Sequence, residues 1–272
     1  MEKVIKEYEQ LRAEYNRNIV EAFNPQDFEN YINDMFTAHS CRIEGNSFSV
    51  NDTRALREQG IGLKLNNKSM LEAFEILDHF NANRYAMSNL DQPLTEDFIK
   101  KIHYYLTKNT IKFSKGTPPG EYTKFDMAVS ETMFGDHKKN IAQMPKLLES
   151  TQKTLEENKV HPVVLSAMFH KFFIYLHPFH DGNGRLGRIL SNFILAKKGH
   201  PLIIITEPKK ERYVEALVAS HKHKDTSPIV SFFFDTMIER MKNEIAEKKN
   251  LAQNFLMRFR EEEHKDKRTL RR

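Results

Sequence analysis

Residues 162–176, PVVLSAMFHKFFIYL, are apolar nearly all the way round a helix. Such a helix has no face to offer water and has to be enclosed by other elements. The rest of the chain supplies them. Apolar residues recur at spacings of three and four over 2–22 (Val4, Ile5, Tyr8, Leu11, Tyr15) and 26–40 (Phe28, Tyr31, Ile32, Met35, Phe36). They do so again over 69–88 (Met70, Leu71, Phe74, Leu77, Phe80) and 95–108 (Phe98, Ile99, Ile102, Leu106), which is the period of amphipathic helices. Thr95-Glu96-Asp97 has the residue types of a helix cap. Helical patterns return at 142–157, 185–198, 209–222 and from 227 to about 260. The segment 111–139 is different. Gly116, Pro118, Pro119, Gly120 and Gly135 interrupt it, and Tyr122–Val129 tolerates a strand, so a loop carrying a small hairpin is expected there. The pattern predicts an all-α fold with one inserted hairpin.

With 272 residues the chain can bury a sizeable core. Its 39% hydrophobic and 29% charged residues exclude a disordered class. No run approaches the ~18 apolar residues of a membrane span, so no membrane partner is expected. The start, MEKVIKEYEQLRAEYNR, is charged throughout and lacks the apolar core of a secretory signal. Cys41 is the only cysteine, which agrees with a reducing compartment and excludes a multi-cysteine zinc site. A cytoplasmic protein is expected. Net charge is only +5, and the one dense basic cluster, Arg258, Arg260, Lys265, Lys267, Arg268, Arg271 and Arg272, is interleaved with Glu261, Glu262, Glu263 and Asp266. That mixture is a solvated helix end and weighs against a nucleic-acid partner. The expected organisation is an N-terminal helix (1–30) packing on a core domain (31–240), followed by a helical extension and charged tail (241–272).

The chemistry concentrates in 177–188, HPFHDGNGRLGR. Pro178 helps stop the preceding apolar helix. Gly182 and Gly184 tolerate positive φ and let backbone amides face a ligand. A helix beginning at about Gly184 presents unpaired N–H groups and the positive end of its dipole, which makes an anion cradle. Arg185 and Arg188, three apart, reach toward the same anion. Asp181 is a hard carboxylate suited to Mg²⁺ shared with phosphates. His177, at the edge of the loop, can serve as a general base. His180 is expected to face solvent.

These residues resemble the signature of Fic-domain proteins, HPFx(D/E)GN(G/K)RxxR, at every defined position. The resemblance covers roughly 30–240 and implies an all-α Fic fold with a small β-hairpin flap over the active site. It further implies transfer of AMP from ATP to a Ser, Thr or Tyr hydroxyl of a protein, with Mg²⁺. By the same resemblance, His177 takes the proton of the target hydroxyl, Phe179 anchors the loop, and Asp181 holds Mg²⁺. Gly182, Asn183 and Gly184 bind phosphate oxygens, while Arg185 and Arg188 contact the outer phosphates.

Ser40-Cys41-Arg42-Ile43-Glu44-Gly45-Asn46 is a second informative stretch. Ser40 and Glu44 share a helix face, and Gly45-Asn46 would end that helix. The stretch is similar to the family's inhibitory motif, (S/T)xxxE(G/N). Placed upstream of the HPF loop, it is similar to the subgroup that carries its inhibitor N-terminally. Ser40, Glu44 and Asn46 form the implied inhibitory set, with Glu44 on Arg188 in the γ-phosphate position. In some relatives that glutamate instead positions water to remove AMP. Gly120, Glu121 and Tyr122 resemble the target-docking flap, although Thr123 stands where many relatives have Arg. Tyr213, in RYVEAL, resembles the lining of the adenine pocket. Removal of AMP, transfer of another group such as UMP, phosphate or phosphocholine, and a silent binding module stay open as alternatives. So do self-modification and a homodimer.

Overall fold

Helices begin where the sequence offers a side-chain oxygen to the first unpaired amides. Ser49 accepts from the Asp52 amide at 3.2 Å, and the Asp52 carboxylate accepts from the Ser49 amide at 2.9 Å, a complete capping box. Ser69 and Glu72 repeat it at 3.0 and 3.1 Å. Thr95 caps through the Phe98 amide, as its sequence suggests.

The computed structural model describes residues 1–62, 68–111, 117–129, 132–133 and 135–269. The helices are α1 (Glu2–Asn18), α2 (Pro25–Ile43), α3 (Val50–Gln59), α4 (Met70–Met87), α5 (Glu96–Thr107), α6 (His137–Ile141), α7 (Met144–Glu157), α8 (Pro162–Leu176), α9 (Asn183–Ala196), α10 (Lys210–Lys222) and α11 (Ser227–Thr269). Two short strands, β1 (Ala128–Val129) and β2 (Thr132–Met133), pair antiparallel with Ala128 opposite Met133. The fold is all-α with this one small hairpin, as the periodicity predicts. Helix α3 was not legible in the apolar spacing. The hairpin strands begin at Ala128, later than the Gly120–Tyr122 segment expected to form the flap. Gly116 and the side chains of the basic tail from Arg258 onward lie outside the described residues. Among the described residues, no helix is long and apolar enough to cross a membrane.

The chain divides into two units. One joins Met1–Glu29 with Asp235–Arg272, and the other is Asn30–Phe234. The two ends of the chain thus group together in the first unit. Within the first unit, the Tyr15 hydroxyl donates to Glu244 at 2.5 Å. Lys242 and Lys249 pair with Glu7 and Glu14 at 2.7 and 3.1 Å.

The second unit is built round α9. Asn183 and every residue from Arg185 to Leu195 are buried. Helix α8 leaves Phe172 and Tyr175 41% and 38% exposed, so the fully enclosed helix is α9 and not α8. Polar residues on α9 disguise this in the sequence, and internal partners make their burial tolerable. Asn192, for example, accepts from the Ile203 amide at 2.7 Å and donates to its carbonyl at 3.1 Å. Gly187 lets α8 approach closely, since a Cβ there would come within 3.0 Å of Ile174 and 3.2 Å of Phe173.

Candidate active site

The loop between α8 and α9 is held from several sides. His177 ends α8 in the left-handed region (φ 46°, ψ 56°). That conformation costs a non-glycine residue about 1 kcal/mol or more and persists only where its surroundings impose it. The Pro178 carbonyl accepts from the Thr123 amide at 2.9 Å. Phe179 is fully buried. Both arms of the Asn183 amide close on the main chain of Phe179, accepting from its N–H at 3.0 Å and donating to its carbonyl at 2.7 Å. Gly182 takes φ +77° as the N-cap of α9, and a Cβ there would press to 3.2 Å from Thr107.

His103, on the apolar face of α5, ties the loop down. Its ring stacks on Phe179 with centroids 3.8 Å apart at 14°. Its Nδ1 accepts from the Gly120 amide at 2.9 Å, so the proton resides on Nε2, which donates to the Asp181 carbonyl at 3.0 Å. Burial pushes this imidazole down to about 4, so it is neutral at pH 7.

Three groups face the start of α9. Burial pushes the His177 imidazole down to about 4, with the Ile174 main chain, Glu44 and Asp181 pulling the other way. It is therefore a neutral proton acceptor at physiological pH. The Asp181 carboxylate accepts from the Gly182 amide at 2.5 Å and keeps 43% of its side chain open. Arg185, 3% exposed, stands 3.4 Å from both Asp181 oxygens and 3.9 Å from Glu75. Its Nε and Nη1 have no hydrogen-bond acceptor among the described residues. Buried donors of this kind fit the oxygens of an anion.

Arg188 is fully engaged. Its Nε donates to Ser40 Oγ at 3.0 Å, and its Nη2 donates to the Ser40 carbonyl and to Glu44 Oε1, both at 2.7 Å. Burial pushes the Glu44 carboxyl up, but the Arg188 guanidinium outweighs it and holds Glu44 below the usual carboxylate range. The Glu44 carboxylate rests against Gly184, where a Cβ would overlap it. It thus occupies the positive end of α9.

The sequence model of the Fic/DOC family matches residues 93–195. The chain carries a Fic domain. Over 204 residues it is 31% identical to the protein adenylyltransferase Fic of Nematostella vectensis, covering 71% of this chain and 44% of that protein. The corresponding protein of Aedes aegypti is 29% identical over 214 residues, 76% of this chain and 40% of its own. The chain therefore spans less than half the length of these curated relatives. In fold it is similar to a Fic-domain-containing signaling protein from Bacteroides thetaiotaomicron, with a TM-score of 0.77 and 23% identity over 90% of this chain and 97% of that one. Fic-1 of C. elegans gives a TM-score of 0.72 at 22% identity, over 90% and 71%.

The fold brings His177, Phe179, Asp181, Gly182, Gly184, Arg185 and Arg188 of the Fic domain together with Ser40 and Glu44, which precede the matched residues. Other expected residues are committed to other partners. Asn46 does not meet Arg188. Gly45 turns the chain at φ +104°, and Asn46 then donates to the Glu72 carbonyl and to Glu75, fastening the end of α2 to α4. The Asn183 side chain is committed to Phe179, which leaves only its main-chain amide for a phosphate. Tyr213 is 4% exposed with its hydroxyl 2.7 Å from His170, so its ring is not presented to a base. Gly120–Tyr122 form a turn against α5 and the HPF loop, with Tyr122 5.1 Å from the Phe179 ring. Glu121 is exposed there. His180 is half-buried rather than solvent-facing. His103, His170 and Ser191 were missed. Their only trace in the sequence is a lone polar residue inside an apolar stripe.

Proposed function

We propose that this site moves AMP from ATP onto a hydroxyl side chain of a protein, and that Glu44 restrains it. The observation that carries the reading is Arg185, a buried guanidinium with two nitrogens lacking acceptors among the described residues, at the helix start that follows the loop of neutral His177. The names of the curated relatives agree with it. His177 takes the proton of the acceptor hydroxyl. The oxygen attacks the α-phosphorus, a new P–O bond forms, the bond to the β-phosphate oxygen breaks, and pyrophosphate leaves with its negative charge. Arg185, Arg188 and the amides of Asn183 and Gly184 hold the phosphates, because phosphoryl chemistry needs chiefly positioning and charge stabilisation. Asp181, half-open beside the cradle, fits Mg²⁺, which would neutralise phosphate charge when bound.

Restraint follows from geometry. Glu44 neutralises Arg188 and fills the space over Gly184 that an outer phosphate needs. Its exposure, 42% of the side chain, also suits a second reading in which an ionised Glu44 orients water for AMP removal.

The test compares the original protein, Glu44→Gly, and Glu44→Gly with His177→Ala, each incubated with Mg²⁺ and α-labelled ATP, alone and with cell lysate. Strong labelling only in Glu44→Gly is the expected result. No labelling in any of them, while ATP still binds, defeats AMP transfer. Release of AMP from pre-labelled protein by the original but not by Glu44→Gly favours the second reading.

A further inference from the structure

Behind Arg188 lies a run of buried polar groups that the proposed reaction does not use. Ser191, His170 and Tyr213 are 0%, 0% and 4% exposed. The direction of their hydrogen bonds can be worked out. The Ser191 hydroxyl donates to the Gly187 carbonyl one turn back at 2.8 Å, so its proton is committed. His170 Nδ1 stands 2.9 Å from Ser191 Oγ and must therefore carry the ring proton and donate it. His170 Nε2 is then an acceptor, and the Tyr213 hydroxyl, 2.7 Å away, donates to it. The Tyr213 hydroxyl and the Arg188 guanidinium also interact: the guanidinium favours the ionised phenol, against the upward push of burial on its pKa.

Each group has one consistent role, and the run is polarised from the guanidinium to the main chain of α9. Burial pushes His170 down to about 3, in keeping with a neutral ring that accepts at Nε2. Gly187 makes room for the arrangement, since a Cβ there would stand 3.2 Å from His170 Cε1. Apolar residues would fill this volume without the desolvation penalty, so a buried polar run whose partners are all satisfied serves orientation more than stability.

We infer that Tyr213, backed by His170 and Ser191, is a positioning residue that keeps Arg188 aimed at the outer phosphates when Glu44 is absent. The inference rests on the nucleotide reading above. Of the groups on Arg188, Glu44 must leave for ATP to enter, while Ser40 on the α2 side and Tyr213 in the opposite wall stay. A free arginine side chain loses rotamer entropy on being fixed. A wall that fixes it beforehand removes that loss from binding.

The test uses the Glu44→Gly protein with Mg²⁺ and measures dissociation constants for ATP and for AMP by calorimetry. The variants are Arg188→Met, Tyr213→Phe and His170→Phe, with melting curves to establish folding. AMP lacks the outer phosphates, so a general packing defect loosens both nucleotides alike. Arg188→Met is expected to weaken ATP at least about tenfold and AMP less than about twofold, as for loss of a charged hydrogen bond. Tyr213→Phe is expected to shift the ATP-to-AMP preference in the same direction by about three- to tenfold. His170→Phe keeps the ring packing, removes the acceptor and is expected to do the same, so either variant suffices if the other does not fold. The proposal is overturned if both leave the preference at its parent value while Arg188→Met changes it, or if both loosen ATP and AMP equally. If Arg188→Met itself leaves the preference unchanged, Arg188 does not meet the outer phosphates, and both readings fall together.

Discussion

Arg185 and Arg188 stand three residues apart on one helix, 3% and 2% exposed, in opposite surroundings. Arg188 places two nitrogens on three oxygens at 2.7–3.0 Å, all from α2 or its C-terminal end. Arg185 has carboxylates no nearer than 3.4 Å and two nitrogens without an acceptor among the described residues. A buried donor left unpaired costs about 1–3 kcal/mol, more when charged. Stability therefore does not explain Arg185, whereas it does explain Arg188. On the proposed reading, one arginine waits for the ligand and the other is occupied by the protein's own carboxylate. Regulation then acts on one arginine and leaves the other ready.

The contrast breaks first at Arg185. In the Glu44→Gly protein, Arg185→Met, which conserves most of the volume, is expected to lower the labelling rate about 100-fold or more, the scale for losing one charge-stabilising donor. Its unfolding free energy in urea should change by less than about 1 kcal/mol, because the group removed is a poorly paired buried charge. A loss of several kcal/mol would make Arg185 a structural partner like Arg188 and end the comparison.

Arg188→Met, made in the original protein, should behave the other way. It leaves both Ser40 oxygens and Glu44 without their donor. Urea unfolding is expected to register a loss of about 2–3 kcal/mol, by the cost of stranding buried partners of a charged group. A loss under about 1 kcal/mol would show that the three short hydrogen bonds add little.

Gly184 sharpens the comparison further. A methyl there overlaps the Glu44 carboxylate and next meets the flexible end of Arg188, at 3.2 Å. Alanine is also the better helix former by about 1 kcal/mol. Gly184→Ala should then be neutral or stabilising in Glu44→Gly, and less favourable by about 1 kcal/mol when Glu44 is present, a coupling read from thermal unfolding of the four proteins. Additive effects would mean that Glu44 does not rest on Gly184.

Sequence pattern reached the periodic helices and the HPF loop because both are local. Apolar spacing sets a helix face, and Pro178, Gly182 and Arg185 act within one turn of each other. It failed where partners are distant in the chain. Helix α9 is the buried one, yet Arg185, Arg188, Ser191 and Asn192 make it look half-polar, because their partners lie on other elements. Tyr213 reads as a contact for the base, yet its ring is buried and its hydroxyl is held by His170. Asn46 fits a motif with Glu44, but after Gly45 the chain faces α4 instead. Helix α3 carries too few apolar residues to show a period, and its capping box at Ser49 was the available signal.

The smallest effect concerns acid. Glu44's carboxyl lies below its ordinary value in the fold and near about 4.3 when unfolded, so its pairing stabilises fully above that value and is lost as pH falls through the folded one. With 42% of the side chain open, solvent screens the pair, and less than about 1 kcal/mol is expected. Buried histidines complicate the raw curve, His39 and His79 among them. His103, His170 and His177 are held at about 4, 3 and 4, so between pH 6.5 and those values the unfolded chain binds protons that the fold does not, and stability falls. That loss is shared by the original protein and Glu44→Gln except at His177, which Glu44 pulls upward, so both are compared in a His177→Ala background, where their difference isolates the pair. The difference should favour the original at pH 7, persist down to the ordinary carboxylate value of about 4.3, and close as pH falls through the lowered folded value. A gap that survives protonation would mean that Glu44 stabilises by packing, and that Arg188 is held by Ser40 and Tyr213 alone.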